Sequence, residues 1–341
     1  MSSTTPSTAR TDFTNHDDMD EYPNRPALQA TGKPKLPYIL DTRRLGSRIF
    51  FGPYVYFPLI AGLTWLGGLL ALIGLWAAAG KPRYRPTQGS IVFVSHVAGV
   101  HRTLFICITS VVAVFWWATV IAERWLRHTN RLPADVRPRE WILGYCAIGS
   151  AIAGGLGLIL LAVFDCYDYS RVHWSMTCVF IFFTALSAIC QTGEVWSLYK
   201  DHPKRMSLLR SSIFKLIVVL SAVLGAIAFA ILYGVCRGKS RARGSHSANT
   251  CNNVTSGAAA MEWTIAFILV FYYLSLAGDL WASGKSSPRY LRRVAQWEAK
   301  RAGLNRWNTR AEELKEQAIA RNRGEEVVVQ TERTTVASSA V

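Results

Sequence analysis

Apolar residues in this chain come in long blocks, with neither the strict alternation of a half-buried strand nor the two-faced pattern of a surface helix. Six blocks reach the roughly 20 residues that a helix needs to cross a hydrocarbon layer about 30 Å thick. They are Phe57–Ala79, Thr103–Ala122, Trp141–Phe164, Trp174–Gly193, Leu216–Cys236 and Ala258–Trp281. The first five hold no charged side chain, and the sixth carries Glu262 near one end and Asp279 near the other. Backbone in lipid must satisfy its own hydrogen bonds, so helices are the expected form. Strands of a membrane barrel would alternate in polarity over about 10 residues, and these segments do not. The expected fold is all-α integral membrane: six transmembrane helices over 36–282, between a disordered tail 1–35 and a basic tail 283–341.

Composition supports this reading. Charged residues make up 18% of the 341 and hydrophobic ones 50%, too few charges for an easy water-facing shell. The formal charge is +16, with 38 Lys and Arg against 22 Asp and Glu. In a soluble protein that excess would point to nucleic acid. In a membrane protein it points to cytoplasmic segments beside anionic lipid, and no nucleic-acid partner is expected. Twelve Trp and 13 Tyr suit the membrane interface. No cleavable signal peptide or lipidation signal stands at either end, so Phe57–Ala79 is expected to act as a signal-anchor.

Lys and Arg also set the orientation. Six spans leave both tails on one side, with the segments 123–140 and 197–212. These hold 28 of the 38 basic residues, against nine in the segments 80–102, 165–173 and 237–257. Both termini are therefore expected in the cytosol. The sequon Asn253-Val254-Thr255 lies in the fifth loop on the opposite side, where Asn253 is a candidate for glycosylation. Cys236 and Cys251 are candidates for a disulfide there, with Cys166 nearby, although spacing does not decide the pairing. Cys107, Cys146, Cys178 and Cys190 lie within spans and read as small apolar residues.

In the basic tail, Val294, Trp297, Leu304, Trp307, Ala311, Leu314 and Ala318 recur at helical spacing. The pattern predicts an amphipathic helix over about 289–323, lying on a membrane surface. Arg292, Arg293, Lys300, Arg301, Arg306 and Arg310 are its candidate contacts with anionic inner-leaflet phospholipid. Gly149, Ala153 and Gly157 form a small-residue stripe for close helix packing.

Ionisable groups within spans or at their very ends are costly and therefore informative. Glu194, Lys215 and Asp279 lie near the cytosolic face and Glu262 near the other. They are candidates for intramembrane ion pairs, Lys215 with either Glu194 or Asp279. On the outer side Asp165, Asp168 and His173 stand with Tyr169 and Arg171, while Ser95, His96 and His101 lie in the first outer loop. If the protein were an enzyme, Asp165, Asp168 and His173 would be its acid–base candidates. No HExxH, GxSxG, Walker A or spaced Cys/His pattern occurs, so no metal, cofactor or catalysis is expected.

Pro37 to Thr42, Glu123 to His128, Phe164-Asp165 and Glu262 to Phe267 carry short motifs that resemble those of the Frag/DRAM/Sfk family of six-span membrane proteins. Pro37-Tyr38-Ile39-Leu40-Asp41-Thr42 is similar to the family's "PYISD", with Leu40 in place of Ser. Glu123-Arg124-Trp125-Leu126-Arg127-His128 resembles the fungal "ERWLRH" turn, and Phe164-Asp165 with Arg171 and His173 its outer-loop pattern. Glu262 to Phe267, Phe271 to Ser275 and Asp279-Leu280 resemble its last span. The first outer loop departs: Val94-Ser95-His96 stands where the family often has a second "ISD". The resemblance covers about 36–282 and lies closest to the fungal Sfk-type members. It implies a plasma-membrane protein that supports phosphatidylinositol 4-kinase signalling, with a possible kinase complex as partner. Other branches imply a vacuolar or lysosomal factor in autophagy, or remodelling of GPI-anchor lipid.

Overall fold

The computed structural model describes residues 45–201, 206–302 and 308–324, with Pro37 and Leu40. All belong to the unit Pro37–Glu326. The expectations for the tail 1–35, for Tyr38, Ile39, Asp41 and Thr42, for Leu304, Arg306 and Trp307, and for the side chain of Arg301 lie outside the described residues.

Among the described residues there are ten α-helices and no strand. They are α1 Leu45–Phe51, α2 Tyr56–Ala78, α3 Val94–Val100, α4 Arg102–His128, α5 Pro138–Val163, α6 Ser170–Asp201, α7 Met206–Cys236, α8 Ala248–Leu280, α9 Pro288–Ala302 and α10 Asn308–Arg323. The six long ones (α2, α4, α5, α6, α7 and α8) are apolar enough to cross a membrane. They pack as a ring, each against the next, and α8 closes it on α2.

The helices outrun the apolar blocks. The block rule predicts ends at Ala122 and Gly193, yet α4 continues to His128 and α6 to Asp201. Both extensions carry charges that find partners inside the bundle, so polarity does not stop the helix. At the start of α5, Pro138 stands in the first turn, where its missing N–H costs nothing. Glu140 reaches back to the N–H groups of Val136 (2.7 Å) and Arg137 (3.2 Å). Asn130, at φ +55°, turns the chain out of α4, a backbone region that Asn tolerates.

The core fills the bundle with Trp65, Leu69, Leu72, Phe105, Val112, Trp116, Leu158 and Tyr273. Buried indoles bond to carbonyls of neighbouring segments: Trp65 Nε1 to Ala266 (2.8 Å) and Trp263 Nε1 to Val92 (3.0 Å). The small-residue stripe packs at its Gly157 end but not at Gly149. A Cβ at Gly155 would clash with the Trp117 indole, and one at Gly157 would lie 3.0 Å from the Phe180 backbone nitrogen. One at Gly149 would meet nothing within 4 Å. Gly154, Gly155 and Gly157 therefore make the close approach, while Gly149 faces outward. Cys107, Cys146 and Cys178 are exposed on the bundle surface and Cys190 is buried.

The basic tail holds two helices where one was expected, and α9 packs on α10. The apolar face of α9, with Tyr290, Leu291, Val294, Ala295 and Ala299, is buried in protein rather than left for lipid. Tyr290 packs edge-on to Phe51, and its hydroxyl reaches the Leu40 carbonyl at 3.5 Å. Arg289, Arg292, Arg293 and Lys300 remain exposed on the other face.

Candidate functional site

Polar chemistry gathers at the end of the bundle that carries the tails. Arg127 Nη2 stands 2.7 Å from Glu123 Oε1, one turn away on α4, and Arg127 Nε 3.1 Å from Glu194 Oε1 on α6. Arg124 approaches the same Glu194 oxygen at 3.8 Å and pairs with Asp135. Lys215 on α7 pairs with Asp279 on α8, whose other oxygen accepts the Ser211 hydroxyl at 2.5 Å. Of the two partners open to Lys215, Asp279 takes it, and Glu194 belongs to the arginines. The side chains of Arg127 and Lys215 are 2% and 1% exposed. Such burial is tolerable only with charge pairing and hydrogen bonds. Next to them, Glu140 accepts the Ser197 hydroxyl at 2.7 Å, and Arg139 Nε donates to Ser197 Oγ at 2.8 Å.

Four carboxylates (Glu123, Asp135, Glu194, Asp279) thus face three cations (Arg124, Arg127, Lys215). The cluster holds α4, α6, α7 and α8 in register. Beside it, Arg127, Pro133, Leu208, Ser211 and Asp279 line a cleft of about 60 Å³. A water-sized cavity of about 10 Å³ lies between Glu123, Arg124, Gln191 and Glu194.

The segment 129–135 ties this cluster to the tail. Arg127 Nη1 donates to the Pro133 carbonyl at 3.3 Å. Asn322 of α10 donates to the Asn130 carbonyl (2.6 Å) and accepts from the Ala134 N–H (2.9 Å). Ser286 donates to the Arg131 carbonyl at 2.5 Å, and Arg131 donates to that of Ser283 at 3.2 Å.

At the opposite end, Glu262 has no ion pair among the described residues. Its carboxylate accepts the N–H groups of Val94 (2.8 Å) and Ser95 (3.4 Å), the first of α3. Free N–H groups at a helix start satisfy the buried acid in place of a cation. Asp165 Oδ1 accepts from Tyr167 and Asp168, both at 2.8 Å, and Oδ2 lies 3.5 Å from Arg102. Burial opposes its charge, but these hydrogen bonds and the Arg102 guanidinium hold its carboxyl below the usual carboxylate range. His173 Nδ1 sits 2.8 Å from the Leu161 carbonyl and 2.9 Å from that of Phe164, so this nitrogen carries a proton. Asp165 and His173 together turn the chain from α5 into α6, and Asp168 is exposed. Burial, with Arg85 and His173 nearby, lowers the His96 pKa to about 4. Burial, with Glu262 and Asp165 near, pushes the Cys166 thiol up to about 12, which leaves it unreactive.

Cys236 and Cys251 are joined by a disulfide between the end of α7 and the start of α8. The sequon lies on a helix and not in a loop. Ser247 caps α8 by accepting the Thr250 N–H, so the first two turns stand before the apolar block begins. Asn253 is exposed and Thr255 fully buried.

Of the lipid-contact candidates, Arg292, Arg293 and Lys300 are exposed, and Arg293 stacks on the Phe50 ring at 5.6 Å. Arg310 is instead paired with Glu298 (3.1 Å) and Glu313 (2.9 Å). The sequence reading missed the Glu123–Arg127–Glu194 cluster because Glu123, Arg124 and Arg127 stood beyond the apolar block. The i,i+4 spacing of Glu123 and Arg127 was the available signal.

Six helices long and apolar enough to cross a membrane, with charges paired inside one end, define a multi-pass membrane protein. The family model for the Frag1/DRAM/Sfk1/Cwh43P N-terminal domain matches residues 53–283, and the chain belongs to that family. It is similar to Protein sfk1 of Schizosaccharomyces pombe, 28% identical over 227 residues, 67% of this chain and 63% of that protein. It is also similar to Protein SFK1 of Saccharomyces cerevisiae, 24% identical over 176 residues, 42% of this chain and 50% of that protein. The chain thus matches about half to two thirds of the length of these relatives. No solved structure matches it.

Proposed function

We propose that this protein is a non-enzymatic regulator of lipid and phosphoinositide homeostasis at the plasma membrane, with both termini in the cytosol. It supports phosphatidylinositol 4-kinase signalling through its cytosolic segments and basic tail. The observation that carries this reading is the exposed row Arg289, Arg292, Arg293 and Lys300 on α9, a helix whose apolar face is already buried. The row is free to meet anionic headgroups, each cation contributing about 1 kcal/mol near such a surface. The bonds of Asn322 and Ser286 to the segment 129–135 link the tail to the buried charge cluster. The family resemblance supports the kinase, and the engaged atoms of Asp165 and His173 weigh against acid–base catalysis in GPI-lipid remodelling.

The test replaces Arg289, Arg292, Arg293 and Lys300 by Gln, because deletion of 285–341 would also remove buried Tyr290 and Asn322. Plasma-membrane phosphatidylinositol 4-phosphate and kinase recruitment should fall at normal protein abundance. Unchanged levels of both would refute the tail's role. Localisation of the tagged chain to a vacuolar membrane would favour the autophagy branch instead.

A further inference from the structure

The end of the bundle opposite the tails is strongly basic, and the proposed function makes no use of it. Its three segments, 80–102, 164–173 and 237–257, hold nine Lys and Arg against two Asp. Asp165 is buried and engaged with Arg102 and its own turn, so Asp168 is the one exposed acid. Eight of the nine cations are exposed, among them Arg83, Arg85, Arg171, Arg237, Lys239 and Arg241. The Arg102–Asp165 contact is the sole ion pair at this end among the described residues.

The segments form one braced surface. Ser240 N donates to the Thr87 carbonyl at 2.8 Å, joining the first and last. Arg85 stacks over the Tyr167 ring at 4.6 Å and donates to the Tyr167 carbonyl at 3.3 Å, joining the first and second. Arg83 donates to Ser90 (2.9 Å) and to Asn252 on α8 (3.3 Å), and the Cys236–Cys251 disulfide closes the longest loop. Seven of the nine cations are Arg, whose planar fork matches carboxylate, sulfate and phosphate. Unneutralised like charges held together create a field that favours polyanions.

The shape and composition narrow the partner. The cations are spread over three segments braced side by side, a layout that suits an extended ligand rather than a single small anion. The segment from Arg237 to Thr250 contains no side chain more apolar than Ala. That segment has nothing to insert into a bilayer, while the other two expose Ile91, Val100 and Tyr169. We propose that this surface docks an anionic polysaccharide in the aqueous phase outside the cell, an assignment that rests on the cytosolic placement of the tails.

The test uses the full chain in nonionic detergent, on immobilised dextran sulfate with neutral dextran as control. The intact protein should be retained on dextran sulfate alone, with affinity falling steeply as salt rises. The triple variant Arg237→Gln, Lys239→Gln, Arg241→Gln should bind roughly tenfold more weakly and with a shallower salt dependence. Its thermal stability, read alongside, should match that of the intact chain, because those side chains make no buried contact. The variant Arg292→Gln, Arg293→Gln, in the exposed basic row at the tail end, should lose less affinity than the triple variant. Equal retention of the triple variant, or loss confined to the tail variant, would overturn the proposal. So would binding to phosphatidylserine vesicles through the triple-variant residues without retention on dextran sulfate. Orientation is read separately, by impermeant maleimide labelling of Lys239→Cys in intact cells above the signal of the unsubstituted chain. Absent labelling would place the surface in the cytosol and remove the polysaccharide as its partner, even with dextran sulfate bound.

Discussion

Replacing Lys215 by Met removes the cation from a buried pair and leaves Asp279 with the Ser211 hydroxyl as its hydrogen-bond partner and Arg127 across the cleft. The two side chains are 1% and 4% exposed, so water does not fill the vacancy at low cost. Unit charges about 4 Å apart at an effective dielectric near 20 attract by about 4 kcal/mol. Stranding one partner of a buried pair costs about 3–5 kcal/mol, a consistent range. The single variant should therefore shift the unfolding equilibrium by roughly two decades or more. The double variant Lys215→Met, Asp279→Leu removes both charges and should recover most of that loss, because no buried ion remains. Denaturant unfolding of the detergent-solubilised chain, run as a double-mutant cycle, measures the difference. Equal stability of the single and double variants, or losses that add, would show that the pair does not form.

Three further expectations can be checked on the same preparation. Reducing the Cys236–Cys251 bridge, which spans a sequence separation of 15, should cost about 3 kcal/mol, seen as a lower melting temperature with reductant that a Cys236→Ser variant shows without it. Gly157→Val should destabilise by about 1–3 kcal/mol, because its Cβ would lie 3.0 Å from the Phe180 backbone nitrogen, while Gly149→Val should be close to neutral. His96 contributes a pH dependence with a definite sign: its folded pKa of about 4 lies below the ordinary 6.5, so the unfolded chain takes up the proton first. Stability should fall from about pH 6.5 down to about pH 4, by up to about 3 kcal/mol from this group, and His96→Gln should flatten that slope in melting curves.

How much of the site was legible differs from residue to residue. Asp279 stood out in the sequence because a charge inside an apolar block is conspicuous, and Lys215, just before the fifth block, was read as its possible partner. Glu123, Arg124 and Arg127 did not, since a charge just past an apolar block looks the same whether it meets water or another helix. Only the continuation of α4 to His128 and of α6 to Asp201 brings Arg127 within 3.1 Å of Glu194. The face of α9 shows the same limit. Its periodicity told that one side is apolar, yet the packing of Tyr290 on Phe51 and its reach to the Leu40 carbonyl depended on a segment more than 200 residues earlier in the chain.

The sequence alone determined the membrane class, the number of spans and the skew of positive charge toward the tails, because each follows from local length and composition. It also carried the family resemblance that residues 53–283 bear out. Tertiary structure decided the partners: Asp279 for Lys215, two N–H groups of α3 for Glu262, Gly157 rather than Gly149 for close packing, and Cys251 for Cys236. Pairing depends on which helix faces stand opposite each other, and that is a property of the assembled ring of six helices.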